Sequence, residues 1–114
     1  MTLPPSNSVD VARIYKREFA AAHIIAGHPK CGRMHGHNYI LIVKVYGRRS
    51  EWLDFEDIKR TTDQLVDEKY DHLDLGNMTC EKMAGQLQEQ LSKAFKSIVK
   101  IELWETGKFG VETA

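Results

Sequence analysis

Cys31, His35 and His37 bring a thiol and two imidazoles within seven residues of one another, in the stretch Cys31-Gly32-Arg33-Met34-His35-Gly36-His37-Asn38-Tyr39. If the chain is extended from His35 onward, side chains two apart share a face, so both imidazoles project together. Two imidazoles on one face make half of a zinc or similar metal site, and a third ligand has to come from elsewhere in the chain. His23 is a candidate. It closes Phe19-Ala20-Ala21-Ala22-His23 and would face His35 and His37 if the two segments paired as a hairpin. Three neutral imidazoles with a fourth position left to water or substrate describe a catalytic zinc, whereas a structural zinc normally takes all four ligands from the protein.

Cys31 leaves two alternatives open. Its thiolate could be a fourth ligand, closing a structural site of one cysteine and three histidines, or it could stand off the metal as a nucleophile or base. Lys30 and Arg33 lie beside it, and cations favour the thiolate. Asp71-His72 is a second constellation. A carboxylate next to an imidazole holds the ring in one tautomer and stabilises its protonated form, which suits a proton relay; the plainer alternative is a pair of turn residues. Glu105 continues the apolar row of Val99, Ile101 and Leu103, so it either ends a strand at solvent or anchors a ligand. His28, between Gly27 and Pro29, reads as a surface imidazole, and Cys80 as a small packing residue.

The elements that must position these residues follow from periodicity. Residues 1–8, with two prolines and two serines, form an irregular lead-in, and residues 9–114 a single domain. Alternation from Val9 predicts a first strand reaching His23, residues 26–34 a loop, and residues 35–46 a second strand with His37, Tyr39, Leu41, Val43 and Val45 on one face. Asp54 caps a helix striped by Phe55, Ile58, Leu65 and Val66 and running to about Lys69. Residues 70–78 are too polar and turn-rich to continue it and read as a loop. Thr79 caps a second helix striped by Met83, Leu87, Leu91, Ala94, Phe95 and Ile98, with Glu81 suited to its positive end. Val99 to Glu105 and Phe109 to Thr113 complete the order ββααββ, an α+β domain with a four-stranded antiparallel sheet and both helices on one face. Ile40 and Ile42 make the second strand apolar on its other face too, which predicts cover from another subunit.

Composition excludes several function classes. Among 114 residues, Lys plus Arg and Asp plus Glu are 16 each, so no global field argues for nucleic acid or an anionic membrane. No apolar run approaches the roughly 20 residues of a spanning helix. Two cysteines without a signal-peptide pattern suit a reducing, cytoplasmic setting.

Taken in order, Phe19-Ala20-Ala21-Ala22-His23, Cys31-x-x-x-His35-Gly36-His37-Asn38-Tyr39, Leu53-Asp54-Phe55-x-x-Ile58-Lys59, Asp71-His72-x-x-Leu75, Thr79-x-Glu81-x-x-Ala84 and Glu105-Thr106 resemble the 6-pyruvoyltetrahydropterin synthase superfamily. The resemblance spans nearly the whole chain and implies a tunnelling fold, in which ββααββ units trimerise into a β-barrel and two trimers stack as a homohexamer. It implies that His23, His35 and His37 bind zinc, that Cys31 is the catalytic thiol, that Asp71 and His72 form the proton relay, and that Glu105 anchors the pterin ring. Sites would lie at subunit interfaces, with Cys31 and the relay from different chains. Three residues separate Cys31 from His35, as in the 6-carboxytetrahydropterin synthases of the 7-deazapurine (queuosine or archaeosine) pathway. That branch converts 7,8-dihydroneopterin triphosphate to 6-carboxytetrahydropterin, acetaldehyde and triphosphate. A 6-pyruvoyltetrahydropterin synthase or related pterin lyase is the alternative, and a non-enzymatic zinc module the alternative of another class. Lys30, Arg33 and Lys108 read as solvated charges before triphosphate contacts. The chain departs from the family pattern at Met78, where a proline usually stands, and at Gly76, which interrupts the usual Leu-Asn after the Asp-His pair.

Overall fold

A computed structural model describes residues 9–114, and the expected lead-in at 1–8 lies outside the described residues. In chain order the elements are β1 (Val11–Ile24), β2 (His35–Gly47), α1 (Phe55–Lys69), β3 (Leu73–Asn77), α2 (Cys80–Phe95), β4 (Val99–Trp104) and β5 (Gly110–Glu112). The strands form one sheet in the order β3-β1-β2-β4-β5. The β1/β2, β2/β4 and β4/β5 pairs are antiparallel, while β3 lies parallel to β1.

The α+β architecture with two helices matches the expectation, but the sheet is five-stranded and mixed rather than four-stranded and antiparallel. The extra strand is β3, in the segment expected to be a loop. It joins the sheet edge through its backbone: the His72 N–H donates to Ala20 O at 2.6 Å and the Met78 N–H to Ile24 O at 3.1 Å. Leu73, Asp74 and Asn77 remain exposed, so no buried face imposes the two-residue alternation by which strands are read.

One face of the sheet carries the core. Phe19 and Ala21 of β1, Tyr39, Leu41, Val43 and Val45 of β2, and Val99, Ile101 and Leu103 of β4 are all buried. These residues share one parity because successive side chains alternate across a strand. The Phe19 and Tyr39 rings stack at 5.2 Å between centroids. Against this face α1 buries Ile58, Thr62 and Val66, and α2 buries Cys80, Met83, Ala84, Leu87 and Leu91.

The helix starts are those expected from sequence. The Asp54 side chain accepts from the Glu56 N–H and the Thr79 side chain from the Lys82 N–H, each satisfying an amide that the helix itself cannot. The apolar stripes differ at their ends. Phe55 is 71% exposed, and Ile98 lies beyond α2 at 57% exposed, because Lys96 turns left-handed at φ 52 and ends the helix. On the opposite sheet face Ile40 and Ile42 are half-buried within one chain and Ile14 is exposed.

Leu41 is fully buried and sits between Arg17 and Leu103 in the ladder. Leu41→Ala should lower the unfolding free energy by about 2–5 kcal/mol, read as a reduced urea midpoint with an unchanged slope. A loss below about 1 kcal/mol would contradict its place in the core.

Candidate functional site

The histidine cluster is the continuation of the core face at one end of the sheet. His23 and His35 are directly opposite in the β1/β2 ladder, and His37 pairs with Ala21 two residues further in. Glu105 is the first residue after β4 and keeps the parity of Leu103, so it faces the same way. Ring centroids of His23 lie 4.5 Å from His35 and 5.1 Å from His37, and those of His35 and His37 are 4.9 Å apart. One donor atom from each of His23, His35, His37 and Glu105 falls within 4.8 Å of the others. The structure thus brings the three expected ligands together. It adds Glu105, whose membership of a donor group sequence reading missed although its parity with the 99–103 row was the available signal.

The tautomers follow from the backbone around the cluster. His23 Nδ1 lies 2.6 Å from Met78 O, and His35 Nδ1 lies 2.8 Å from Arg33 O. A carbonyl can only accept, so each Nδ1 carries the proton and each Nε2 is left with a lone pair. The Nε2 atoms of His23, His35 and His37 are all buried and have no hydrogen-bond partner among the described residues. Glu105 Oε1 comes within 2.8 Å of His37 Nε2 and 3.7 Å of His23 Nε2. The nearer contact is a close approach of the carboxylate to the ring and is not a hydrogen bond. Burial lowers the His37 pKa, assisted by His23 and His35 and opposed by the Glu105 carboxylate, so the ring favours its neutral form. Buried polar atoms without partners are costly. Three converging imidazole nitrogens, those of His23 and His35 oriented by Nδ1–H bonds to carbonyls, are what a first-row divalent metal satisfies, so these residues fit such an ion.

Cys31 lies in the loop between β1 and β2, half-buried and unpaired with Cys80. Its sulfur is not part of the donor group, whose fourth member is Glu105. Cys80 is buried in the core, its S–H directed at Leu103 O at 3.6 Å, and burial together with the nearby Glu105 charge pushes its thiol pKa up to about 12. Cys80 is therefore neutral and inert, a packing residue.

Asp71 and His72 lie at the outer edge of β1, where α1 hands over to β3. His72 adopts φ 60, a left-handed conformation uncommon outside glycine, and its side chain is 82% exposed. Its Nδ1 is 2.9 Å from Asp71 Oδ1. Asp71 also accepts from the Ala20 N–H at 3.0 Å and from Arg17 at 3.2 Å. Burial pushes the Asp71 carboxyl up, but the Ala20 N–H, His72 and Arg17 outweigh it and hold it below the usual carboxylate range. Among the described residues the dyad makes no hydrogen bond to the histidine cluster or to Cys31.

Residues 13–113 match the family described as 6-pyruvoyl tetrahydropterin synthase. The chain belongs to that family. A putative 6-carboxy-5,6,7,8-tetrahydropterin synthase of Archaeoglobus fulgidus is 33% identical over 94 residues, covering 76% of this chain and 81% of that protein. The 6-carboxy-5,6,7,8-tetrahydropterin synthase of Haemophilus influenzae is 32% identical over 88 residues, covering 68% and 62%. The Caenorhabditis elegans 6-pyruvoyl tetrahydropterin synthase superposes with a TM-score of 0.75 over 91% of this chain and 96% of its own, at 24% identity, and so shares the fold.

Arg17 ties the dyad to α1 by reaching Asp63 at 3.1 Å and Asp71 at 3.2 Å. Asp63 is also held low: burial raises it, but Lys59, Tyr15 and Arg17 outweigh that. A carboxylate with a depressed folded pKa contributes stability that is present above its unfolded value of about 4 and lost as pH falls through the folded value. Arg17→Met should therefore cost about 1 kcal/mol at pH 7, and urea titrations at decreasing pH should show the gap from the unmodified protein closing below about pH 4. An equal gap at pH 3 would assign the loss to the packing of the arginine stem.

Proposed function

We propose that the chain is a zinc-dependent 6-carboxy-5,6,7,8-tetrahydropterin synthase, converting 7,8-dihydroneopterin triphosphate and one water to 6-carboxytetrahydropterin, acetaldehyde and triphosphate in cytoplasmic 7-deazapurine biosynthesis. The observation that carries the reading is the convergence of three buried, unpartnered Nε2 atoms beside a carboxylate, with a cysteine standing off that group. The names of the Archaeoglobus and Haemophilus relatives and the three-residue spacing from Cys31 to His35 favour the carboxy product over the pyruvoyl one.

His23, His35 and His37 would hold the zinc, which when bound supplies a Lewis acid for the hydroxyls of the substrate side chain. Cys31 as thiolate takes and returns protons at the side-chain carbons. Asp71, fixed on Ala20 and Arg17, keeps His72 in one tautomer, so that the pair can pass the proton on. Glu105 accepts hydrogen bonds from the pterin ring N–H and amino groups, a role that a carboxylate flanking the imidazoles can fill. The dyad sits on the outer side of β1, and on the second sheet face Ile40 and Ile42 are only half-buried and Ile14 is exposed among the described residues. Both features support a homohexamer of two trimeric barrels in which neighbouring chains share each site. The non-enzymatic reading needs Cys31 as a fourth ligand and draws no support from a donor group that leaves it out.

Incubation with 7,8-dihydroneopterin triphosphate should yield 6-carboxytetrahydropterin and acetaldehyde, identified by mass, and a pyruvoyl product would transfer the chain to the alternative branch. Cys31→Ala should retain bound zinc and lose at least about 100-fold in turnover, while His35→Ala should lose both. Full activity in Cys31→Ala would overturn the role of the thiol. A Zn–S distance near 2.3 Å by X-ray absorption would establish the closed structural site instead.

A further inference from the structure

We propose that His28 is a positioning residue for Cys31, its ring holding the thiol-bearing backbone in place. The inference rests on the reading of Cys31 as the catalytic thiol. Beyond β1 the chain turns back on itself, with the His28 N–H donating to Ile25 O at 3.2 Å and Gly27 at φ 80. Pro29 follows and has no N–H to satisfy. The next two amides both point at the His28 ring: its Nδ1 accepts from the Lys30 N–H at 3.1 Å and from the Cys31 N–H at 2.9 Å. The His28 carbonyl accepts from the Gly32 N–H at 3.0 Å, and the Cys31 carbonyl from the Ile25 N–H at 2.6 Å.

Cys31 is therefore fixed on both sides of its α-carbon, by the imidazole of His28 on its N–H and by Ile25, the residue that follows β1, on its C=O. Gly32 closes the turn because a β-carbon there would stand 2.7 Å from the His28 carbonyl oxygen, a distance no side chain tolerates. To accept two amides, His28 Nδ1 must carry the lone pair and Nε2 the proton, the opposite tautomer to His23 and His35. The exposed imidazole thus works as a side-chain cap on a turn, as asparagine and aspartate commonly do. Its acceptor atom belongs to the same turn as the sulfur, so it acts through Cys31 and needs no contact with substrate.

The test compares His28→Ala, His28→Asn and Cys31→Ala in the full-length, zinc-loaded protein, with 7,8-dihydroneopterin triphosphate as substrate. His28→Ala should lower kcat at least about tenfold, since misplacement of a reacting group by about 1 Å is worth up to 100-fold, while KM and zinc content stay within about threefold. His28→Asn offers an oxygen to the same two amides and should return kcat to within about threefold of the unmodified protein. Amide exchange at Lys30 and Cys31 should accelerate in the alanine variant and recover in the asparagine one. Undiminished kcat in His28→Ala, or an asparagine variant as slow as the alanine one, would overturn the positioning role. Full activity in Cys31→Ala would remove the catalytic-thiol reading and this inference with it. If Cys31→Ala is inactive and His28→Ala is not, only the inference fails.

Discussion

The register of the β1/β2 hairpin is the constraint on which the rest of the structure depends. It runs unbroken from Val11 opposite Gly47 to His23 opposite His35. The same alternation that buries Phe19 against Tyr39 turns His23, four residues after Phe19, and His37 and His35, two and four residues before Tyr39, to the same face. A slip of one residue would send the core side chains and the imidazoles together to the other face. Stability and site geometry are thus one property. Tyr39 is the joint between them, its ring stacked on Phe19 and lying 5.6 Å from His37 and 6.1 Å from His23.

Placing three imidazoles at the end of a hydrophobic face requires that each ring be oriented as well as located. The chain does this with main-chain carbonyls that the fold leaves available. Met78 O comes from the residue before the cap of α2, and Arg33 O from the residue pair leading into β2. The helix start and the strand start therefore each fix one tautomer. This arrangement leaves the inward Nε2 atoms buried and unmatched by protein donors, with Tyr39 OH similarly unpartnered beside them. Burial and the Glu105 charge raise the Tyr39 pKa, so the hydroxyl stays neutral. A cluster in which several buried polar atoms lack partners is suited to something that supplies them.

Much of this was legible in the sequence because it rests on period and on caps. The alternation of residues 35–46, the carboxylate and hydroxyl at Asp54 and Thr79, and the facing of His23 with His35 all follow from rules local to a strand or a helix start. What escaped the reading depends on backbone partners that side-chain patterns do not encode. β3 is held by main-chain hydrogen bonds at an edge and buries no regular face. The part played by His28 depends on a ring folding back over two amides of its own turn, which composition registers only as a histidine between glycine and proline. Glu105 was placed on the correct row, but whether a carboxylate at the end of such a row meets solvent or imidazoles is decided by where the neighbouring strands stop. β2 extends five residues past Ile40, the residue paired with Trp104 at the end of β4, and so carries His35 and His37 alongside Glu105.

Gly76 shows how a departure from a family pattern can be read physically. Between Ala22 and Ile24 the parallel pairing of β1 with β3 shifts register, from Ala22 opposite Asp74 to Ile24 opposite Asn77. Three steps along β3 then span two along β1, so β3 carries the surplus residue of a bulge. Gly76 lies inside it at φ 67, a backbone conformation that a side chain disfavours, and its N–H is taken by the Asp74 carboxylate at 2.8 Å. Upstream of the bulge, Ala20 receives the His72 N–H on its carbonyl and gives its own N–H to Asp71. Downstream, the Met78 N–H returns to Ile24 and the Met78 carbonyl reaches His23. The glycine thus absorbs a mismatch between two anchored ends, and the dyad at one end and the His23 tautomer at the other both depend on it.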